Sequence, residues 1–135
     1  MRLGLVWKIG AGVINYPVVQ IEGCAVHENT YSHNGKVWTV TNLIAQTKDL
    51  EAFELPLAAI YLGAEVWTPE ASPYGMAFHM RRALDVDISY PIILSEQGFI
   101  MDGWHRVLRA LIDGKATIKA VRFAKTPTHD YLEAK

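Results

Sequence analysis

The sequence is short of several features that would place it in a specialised class of protein. It contains one cysteine, Cys24, so no intramolecular disulfide can form and a reducing compartment is expected. No run of 18 apolar residues occurs, and no membrane-spanning helix is predicted. Lys8 interrupts the apolar start and no small-residue cleavage site follows, which argues against a signal peptide. We therefore expect a cytoplasmic protein with no membrane association.

Excess charge, internal repeats and low-complexity tracts are also missing. The formal net charge of −1 gives no general attraction to nucleic acid, so a nucleic-acid partner is not expected. Half of the residues are hydrophobic and 20% are charged, as in ordinary globular proteins. The length predicts one domain over residues 1–135, with strands and a short helix in 1–50, a core in 51–125 and a tail in 126–135.

The N-terminal part of the sequence has a pattern that predicts several short strands. An apolar run near the N-terminus predicts one strand, and Val18–Ile21 predicts a second after a glycine-containing loop. Asn34-Gly35 is a strong signal for a two-residue turn. We therefore predict that Ala25–Ser32 and Lys36–Val40 pair as a hairpin.

Two histidines and a glutamate in this hairpin, His27, Glu28 and His33, raise the question of a metal site. Neighbouring strand residues point to opposite faces, and no further ligand has suitable spacing. Polar surface residues are the preferred interpretation.

Two helices are predicted before the centre of the chain. Thr41 is placed as the cap of a short helix over Asn42–Asp49, with Leu43 and Ile44 facing inward. Ser72-Pro73 predicts the start of a longer helix that runs to about Leu84. The apolar residues expected on the inner face of this second helix are Met76, Ala77, Met80 and Leu84.

The stretch from Tyr90 to Gly114 organises the rest of the chain. Pro91–Leu94 predicts a buried strand, a turn ending in Gly98 follows, and Phe99–Met101 predicts the returning strand. Apolar residues then recur with helical spacing, and Asp102 is predicted as the N-cap of this helix. The apolar positions of the helix are Trp104, Val107, Leu108 and Leu111. With a last strand over Ala116–Phe123, these elements predict an α+β fold: a compact mixed sheet with short helices.

The joint between strand and helix at Asp102-Gly103 is the best candidate for a functional site. Gly103 would let the backbone approach a ligand, and the helix N-terminus offers unpaired N–H groups to an anion. His105 and Arg106 lie in the first turn and Arg109 on a neighbouring face. The pattern is typical of a phosphate or carboxylate site, although a plain cap with solvated first-turn residues fits it equally well.

The segment FIMDGWHRVLRALIDGKATIKAVRF resembles the core of the ParB/sulfiredoxin-like superfamily, over roughly Phe53 to Phe123. In that superfamily a hairpin leads into a short Gly-containing turn with His or Arg before Arg, then a helix ending in Gly and a final strand. Asp102-Gly103-Trp104-His105-Arg106 is most similar to the Asp-Gly-x-His-Arg turn of its free-serine kinases. Partition proteins of the superfamily bind CTP and sulfiredoxins bind ATP, so the resemblance implies a nucleoside di- or triphosphate ligand.

The resemblance also implies roles for single residues. Glu65 would be the general base, by order and spacing only, and an exposed loop glutamate is the preferred alternative. Asp102 would hold Mg²⁺, and Gly103, Trp104, His105 and Arg106 would contact the nucleotide. The helix before this turn contributes polar groups in such proteins, which makes Ser72, His79 and Arg82 further phosphate-binding candidates.

Three functions stay open from the sequence. The first is a small phosphotransferase or nucleotide hydrolase in which His105, Asp102 and Glu65 are catalytic. The second is a non-catalytic module that senses a nucleotide or binds a small molecule or protein partner. The third, less favoured, is a ParB-like nuclease. Sulfiredoxin chemistry is excluded, because it needs a cysteine where Trp104 stands.

Overall fold

The computed structural model describes residues 6–9, 12–23, 29–67 and 71–134, and it has an α+β fold. Cys24, His27, Glu28 and the first part of the predicted strand Ala25–Ser32, residues 25–28, lie outside the described residues. The elements in chain order are β1 Val6–Ile9, β2 Gly12–Asn15, β3 Thr30–His33, β4 Lys36–Thr39, α1 Val40–Gln46, β5 Phe53–Pro56, a 3₁₀ turn Leu57–Ala59, α2 Pro73–Asp85, β6 Ile92–Leu94, β7 Ile100–Asp102, α3 Trp104–Ile112, β8 Thr117–Arg122 and β9 Tyr131–Leu132.

A four-stranded mixed sheet in the order β5-β8-β6-β7 is the centre of the fold. β8 is antiparallel to β5 and parallel to β6, while β6 and β7 form the predicted antiparallel hairpin. Gly98 lies in the turn of this hairpin with φ of 91°, as its position in the sequence predicts. The α3 helix follows β7 directly, so the hairpin fixes where this helix begins.

Two groups of buried side chains cover the two faces of this sheet. Ile92 and Leu94 of β6 pack with Val107 and Ala110 of α3 on one face. Ile93, one residue along the strand, belongs to the other face, because side chains alternate across a strand. That second face packs against β4 and α1, and its buried members are Trp38, Leu43, Ile93, Met101, Val121 and Phe123.

The hairpin of β3 and β4 is confirmed. The strands pair in antiparallel register around a two-residue turn, with His33 opposite Lys36. Asn34 and Gly35 both have positive φ, of 51° and 77°, which is the backbone geometry favoured in such turns.

Several predicted boundaries were wrong. β2 covers Gly12–Asn15, and Val18–Ile21 forms no strand. The N-cap of α1 is Thr39, whose hydroxyl accepts from the Asn42 backbone N–H at 3.4 Å, and Thr41 lies inside the helix. Residues 126–134 are more than a tail. They include β9, which pairs with β4, and the Asp130 carboxylate, which accepts from the Thr39 backbone N–H at 2.6 Å.

The inner faces of the helices also differ from the prediction. Ser72 caps α2 as expected, but the buried residues are His79 and Ala83. The residues predicted to face inward, Met76, Ala77, Met80 and Leu84, are exposed. Likewise Ile44 of α1 and Leu111 of α3 are 46% and 42% exposed. None of the helices in the described ranges is long and apolar enough to cross a bilayer.

Candidate functional site

The joint between β7 and α3 is shaped by Gly103. Its φ of 118° is a conformation that side chains other than glycine rarely adopt. A Cβ at this position would lie 2.5 Å from Ile92 Cγ2 and 3.1 Å from Arg106 Nη2. The glycine is therefore needed for the turn and for packing on β6. The sequence-based explanation, that it makes room for a ligand, is not supported by this geometry.

The N-terminus of α3 is not capped by a side chain. Gly103 is the N-cap residue, which corrects the prediction of Asp102, and the first helical hydrogen bond runs from Val107 N–H to the Gly103 carbonyl at 3.0 Å. The helix itself offers no acceptor to the N–H groups of Trp104, His105 and Arg106. These donors, with the positive end of the helix dipole, favour an anion at this end of α3.

Asp102 and Arg106 form an ion pair across this joint. Arg106 Nη2 lies 2.8 Å from Asp102 Oδ2, and the two side chains are 17% and 19% exposed. The Arg106 Nε atom is buried and has no hydrogen-bond partner among the described residues. An unpaired buried donor is costly, so Arg106 retains capacity for another acceptor.

Two imidazoles, from different helices, meet beside this pair. His79 Nδ1 of α2 lies 2.7 Å from His105 Nε2 of α3, and one of these nitrogens donates while the other accepts. Trp67 stacks on both rings, with centroid distances of 4.5 Å to His79 and 4.8 Å to His105. The three rings form one stack that joins the 62–67 loop to both helices.

Burial lowers the pKa of His105 to about 4, with smaller contributions from Arg82, His79 and Arg106. At neutral pH this imidazole is uncharged, and it can donate or accept a hydrogen bond. It therefore supplies no positive charge beside Arg106 at neutral pH.

This pKa predicts a loss of stability in mild acid. Between pH 6.5 and 4 the unfolded chain binds a proton at His105 that the folded chain does not. The free energy of unfolding therefore falls as pH is lowered through this range, by about 1–2 kcal/mol after allowance for solvent screening of the partly exposed ring. Urea unfolding at pH 7 and pH 4.5 should show this loss in the wild type and a smaller one in His105→Gln. Equal losses of unfolding free energy in the wild type and in His105→Gln would show that His105 does not cause the loss of stability.

These groups line a cleft of about 260 Å³. Arg82 and Arg106 bring two guanidinium groups to it, and Asp102 brings one carboxylate. Gly103, Trp104 and His105 also contribute to its surface, with Trp67 on another wall. With His105 neutral, the side chains of the cleft carry a formal charge of about +1, to which the helix N-terminus adds.

The structure brings together most, but not all, of the predicted site residues. Those that line the cleft are Arg82, Asp102, Gly103, Trp104, His105 and Arg106. His79 is hydrogen-bonded to His105. Arg109 is directed elsewhere, since it donates to the Asp113 carboxylate at 2.8 Å and to the Leu84 carbonyl. Ser72 caps α2 through the Gly75 N–H. Glu65 is exposed and is not among the residues that line the cleft.

Sequence reasoning missed Trp67 as a cleft residue. It lies two residues after Glu65, in a loop without helical or strand periodicity. A tryptophan outside any apolar pattern is itself a signal, because so large an apolar surface is usually buried against something. Asn29 and Thr30, which also line the cleft, carry no comparable signal.

A larger cavity, of about 540 Å³, lies between the β3–β4 hairpin, the β6–β7 turn and residues 126–129. Trp38, Phe99, His33 and His129 supply rings to its walls. The Trp38 indole N–H is already bonded to the Pro127 carbonyl at 2.8 Å. Among the described residues, the lining of this cavity shares none with the cleft and includes neither an arginine nor the first turn of a helix. We therefore place the candidate site at the cleft.

Among the described residues, no three His, Cys, Asp or Glu side chains are grouped as a protein-only metal site would require. In comparisons with known proteins, no family model, curated protein or solved structure matches this chain.

Proposed function

We propose that the cleft binds the phosphate groups of a nucleotide. The observation that carries this proposal is that the N-terminus of α3 opens into the same cleft as Arg82 and Arg106. Backbone N–H groups at a helix start and guanidinium groups are the two donor types that proteins most often direct at phosphate. The resemblance to the ParB/sulfiredoxin-like superfamily supports the same ligand class.

Each residue of the cleft then has a distinct role. The N–H groups of the first turn of α3 hold one phosphate group, and Arg82 reaches it from the facing helix. Arg106 lines the cleft while its Nη2 is bonded to the Asp102 carboxylate, so its guanidinium group would lie between Asp102 and the ligand. The neutral His105, held by His79, is oriented to exchange a proton rather than to balance charge.

Mg²⁺ fits this cleft only in part. It commonly binds through one or two carboxylates together with substrate phosphates and water. Asp102 is the one carboxylate among the described residues of the cleft, and Arg106 already partly neutralises it. A magnesium ion would therefore enter with the nucleotide, with Asp102 as its protein ligand.

If the protein is an enzyme, it is a phosphotransferase or nucleotide hydrolase in which His105 is the base and Arg82 and Arg106 stabilise the transferred phosphoryl group. A non-catalytic nucleotide-binding module is the second candidate. The position of Glu65, the predicted base, favours this second candidate because Glu65 does not line the cleft. Release of inorganic phosphate from ATP or CTP by the wild type, and loss of this activity in His105→Gln, would show that the protein is an enzyme.

Replacing Arg82 provides the test of binding. We expect Arg82→Gln to weaken nucleotide binding about 10- to 100-fold, since charge-assisted hydrogen bonds contribute about 1.5–3 kcal/mol. Arg82 is preferable to Arg106 for this purpose, because removing Arg106 would leave Asp102 unpaired. Isothermal titration with ATP, ADP, CTP and GTP, with and without Mg²⁺, measures the change.

Arg81→Gln is the matched control. Arg81 precedes Arg82 on α2, is exposed and does not line the cleft. This substitution removes the same charge from the same helix, and it should leave the affinity for nucleotide almost unchanged. Absence of binding in the wild type, or equal losses in the two variants, would refute the phosphate site.

A further inference from the structure

An apolar slot adjoins the cleft. Its volume is about 120 Å³, and it lies between the 62–67 loop and the outer side of α3. Three residues, Val66, Trp67 and Trp104, line both the slot and the cleft. The two cavities are therefore neighbours, and a ligand that extends past these three residues would reach both.

The slot is apolar, whereas the cleft is lined partly by charged side chains. Every described residue that lines the slot is apolar, and Leu108 and Leu111 of α3 form part of its wall. Its volume is close to that of a cavity of about 150 Å³ that accepts benzene. Tryptophan side chains on the shared wall offer aromatic surface against which a flat ring can stack.

The distance along α3 from the helix start to the slot suits a ligand with an anion at one end and a ring at the other. Trp104 is the first residue of the helix and Leu108 lies four residues later, which is about 6 Å along the axis. A phosphate held at the helix start would thus place an attached group beside Leu108 and Leu111. Inorganic phosphate or a sugar phosphate would leave the slot unfilled.

We propose that this slot receives the base of the nucleotide, and that it accepts purines and pyrimidines alike. The proposal rests on phosphate binding in the cleft. Among the described side chains that line the slot, the indole N–H groups of Trp67 and Trp104 are the hydrogen-bonding groups. The base is therefore bound by stacking and burial, which tolerate any base.

Titration calorimetry on the full chain tests this with inorganic tripolyphosphate, ATP and CTP, each with Mg²⁺. We expect ATP and CTP to bind within about tenfold of each other. Both should bind at least about tenfold tighter than tripolyphosphate, because only they fill the slot. Failure of all three ligands to bind would refute the phosphate site itself. Binding of tripolyphosphate as tight as that of the nucleotides would instead overturn the slot and leave the phosphate site standing.

A pair of variants locates the base. Leu111 lines the slot and Ile112 does not, although they are adjacent on α3 and 42% and 49% exposed. We expect Leu111→Gln to reduce ATP and CTP affinity about tenfold while leaving tripolyphosphate affinity unchanged, and Ile112→Gln to alter neither. Equal losses of ATP affinity in Leu111→Gln and Ile112→Gln would show that the base does not occupy the slot. A preference above about 100-fold for one base would overturn recognition by stacking.

Discussion

Gly103→Ala should destabilise the protein by about 2–6 kcal/mol, the largest effect that we expect from a single methyl group here. Holding a non-glycine residue at positive φ costs about 1–3 kcal/mol. The new Cβ would also lie 2.5 Å from Ile92 Cγ2, and such overpacking adds about 1–3 kcal/mol. Urea unfolding would measure the loss as a lower midpoint at constant m-value.

Gly98→Ala separates the two causes of this loss. Gly98 also has positive φ, 91°, but a Cβ there would have no heavy atom within 4 Å. It should therefore show the backbone cost alone. Equal losses for Gly98→Ala and Gly103→Ala would mean that Ile92 moves aside at little cost. Because Gly103 sets the position of the α3 N-terminus, Gly103→Ala should also weaken phosphate binding, whereas Gly98→Ala should not.

Leu43→Ala should cost about 2–5 kcal/mol, the usual range for truncating a fully buried leucine. Leu43 has 0% exposure and packs in the group that joins α1 to the second face of the main sheet, beside Trp38 and Ile93. The loss would show that β4 and α1 share one core with the sheet that carries the cleft.

Ile44→Ala is the control for Leu43→Ala. Ile44 is the next residue of the same helix, is 46% exposed, and was predicted to face inward. Its truncation should change the free energy of unfolding by no more than about 0.5 kcal/mol, as for surface substitutions in general. Similar midpoints for the two variants in urea would show that Leu43 is not a core residue.

Local patterns predicted the elements around the cleft well. The β6–β7 hairpin was confirmed, and the N-cap of α3 lies at Gly103, one residue after the predicted Asp102, because these features depend on residues next to one another in the chain. The grouping of Asp102, Gly103, His105 and Arg106 followed for the same reason, since they occupy one turn.

The orientation of α2 shows where this reasoning failed. Its apolar residues at Met76, Met80 and Leu84 recur with helical spacing, yet the helix buries His79 and Ala83. The alternative face is favoured because His79 shares a hydrogen bond with His105 and stacks on the Trp67 ring. Those partners lie 26 and 12 residues away in sequence, so no pattern within α2 could reveal them.

The sequence alone determined the α+β class, the two-residue turn at Asn34-Gly35 and the placing of Asp102, Gly103, His105 and Arg106 in one turn before α3, because backbone preferences and neighbouring side chains decide these. Only the tertiary structure decided which charges meet. It paired Asp102 with Arg106, directed Arg109 to Asp113, buried His105 until its pKa fell to about 4, and brought Trp67 over both imidazoles. Burial and long-range proximity are properties of the packed chain, and they set the chemistry of this cleft.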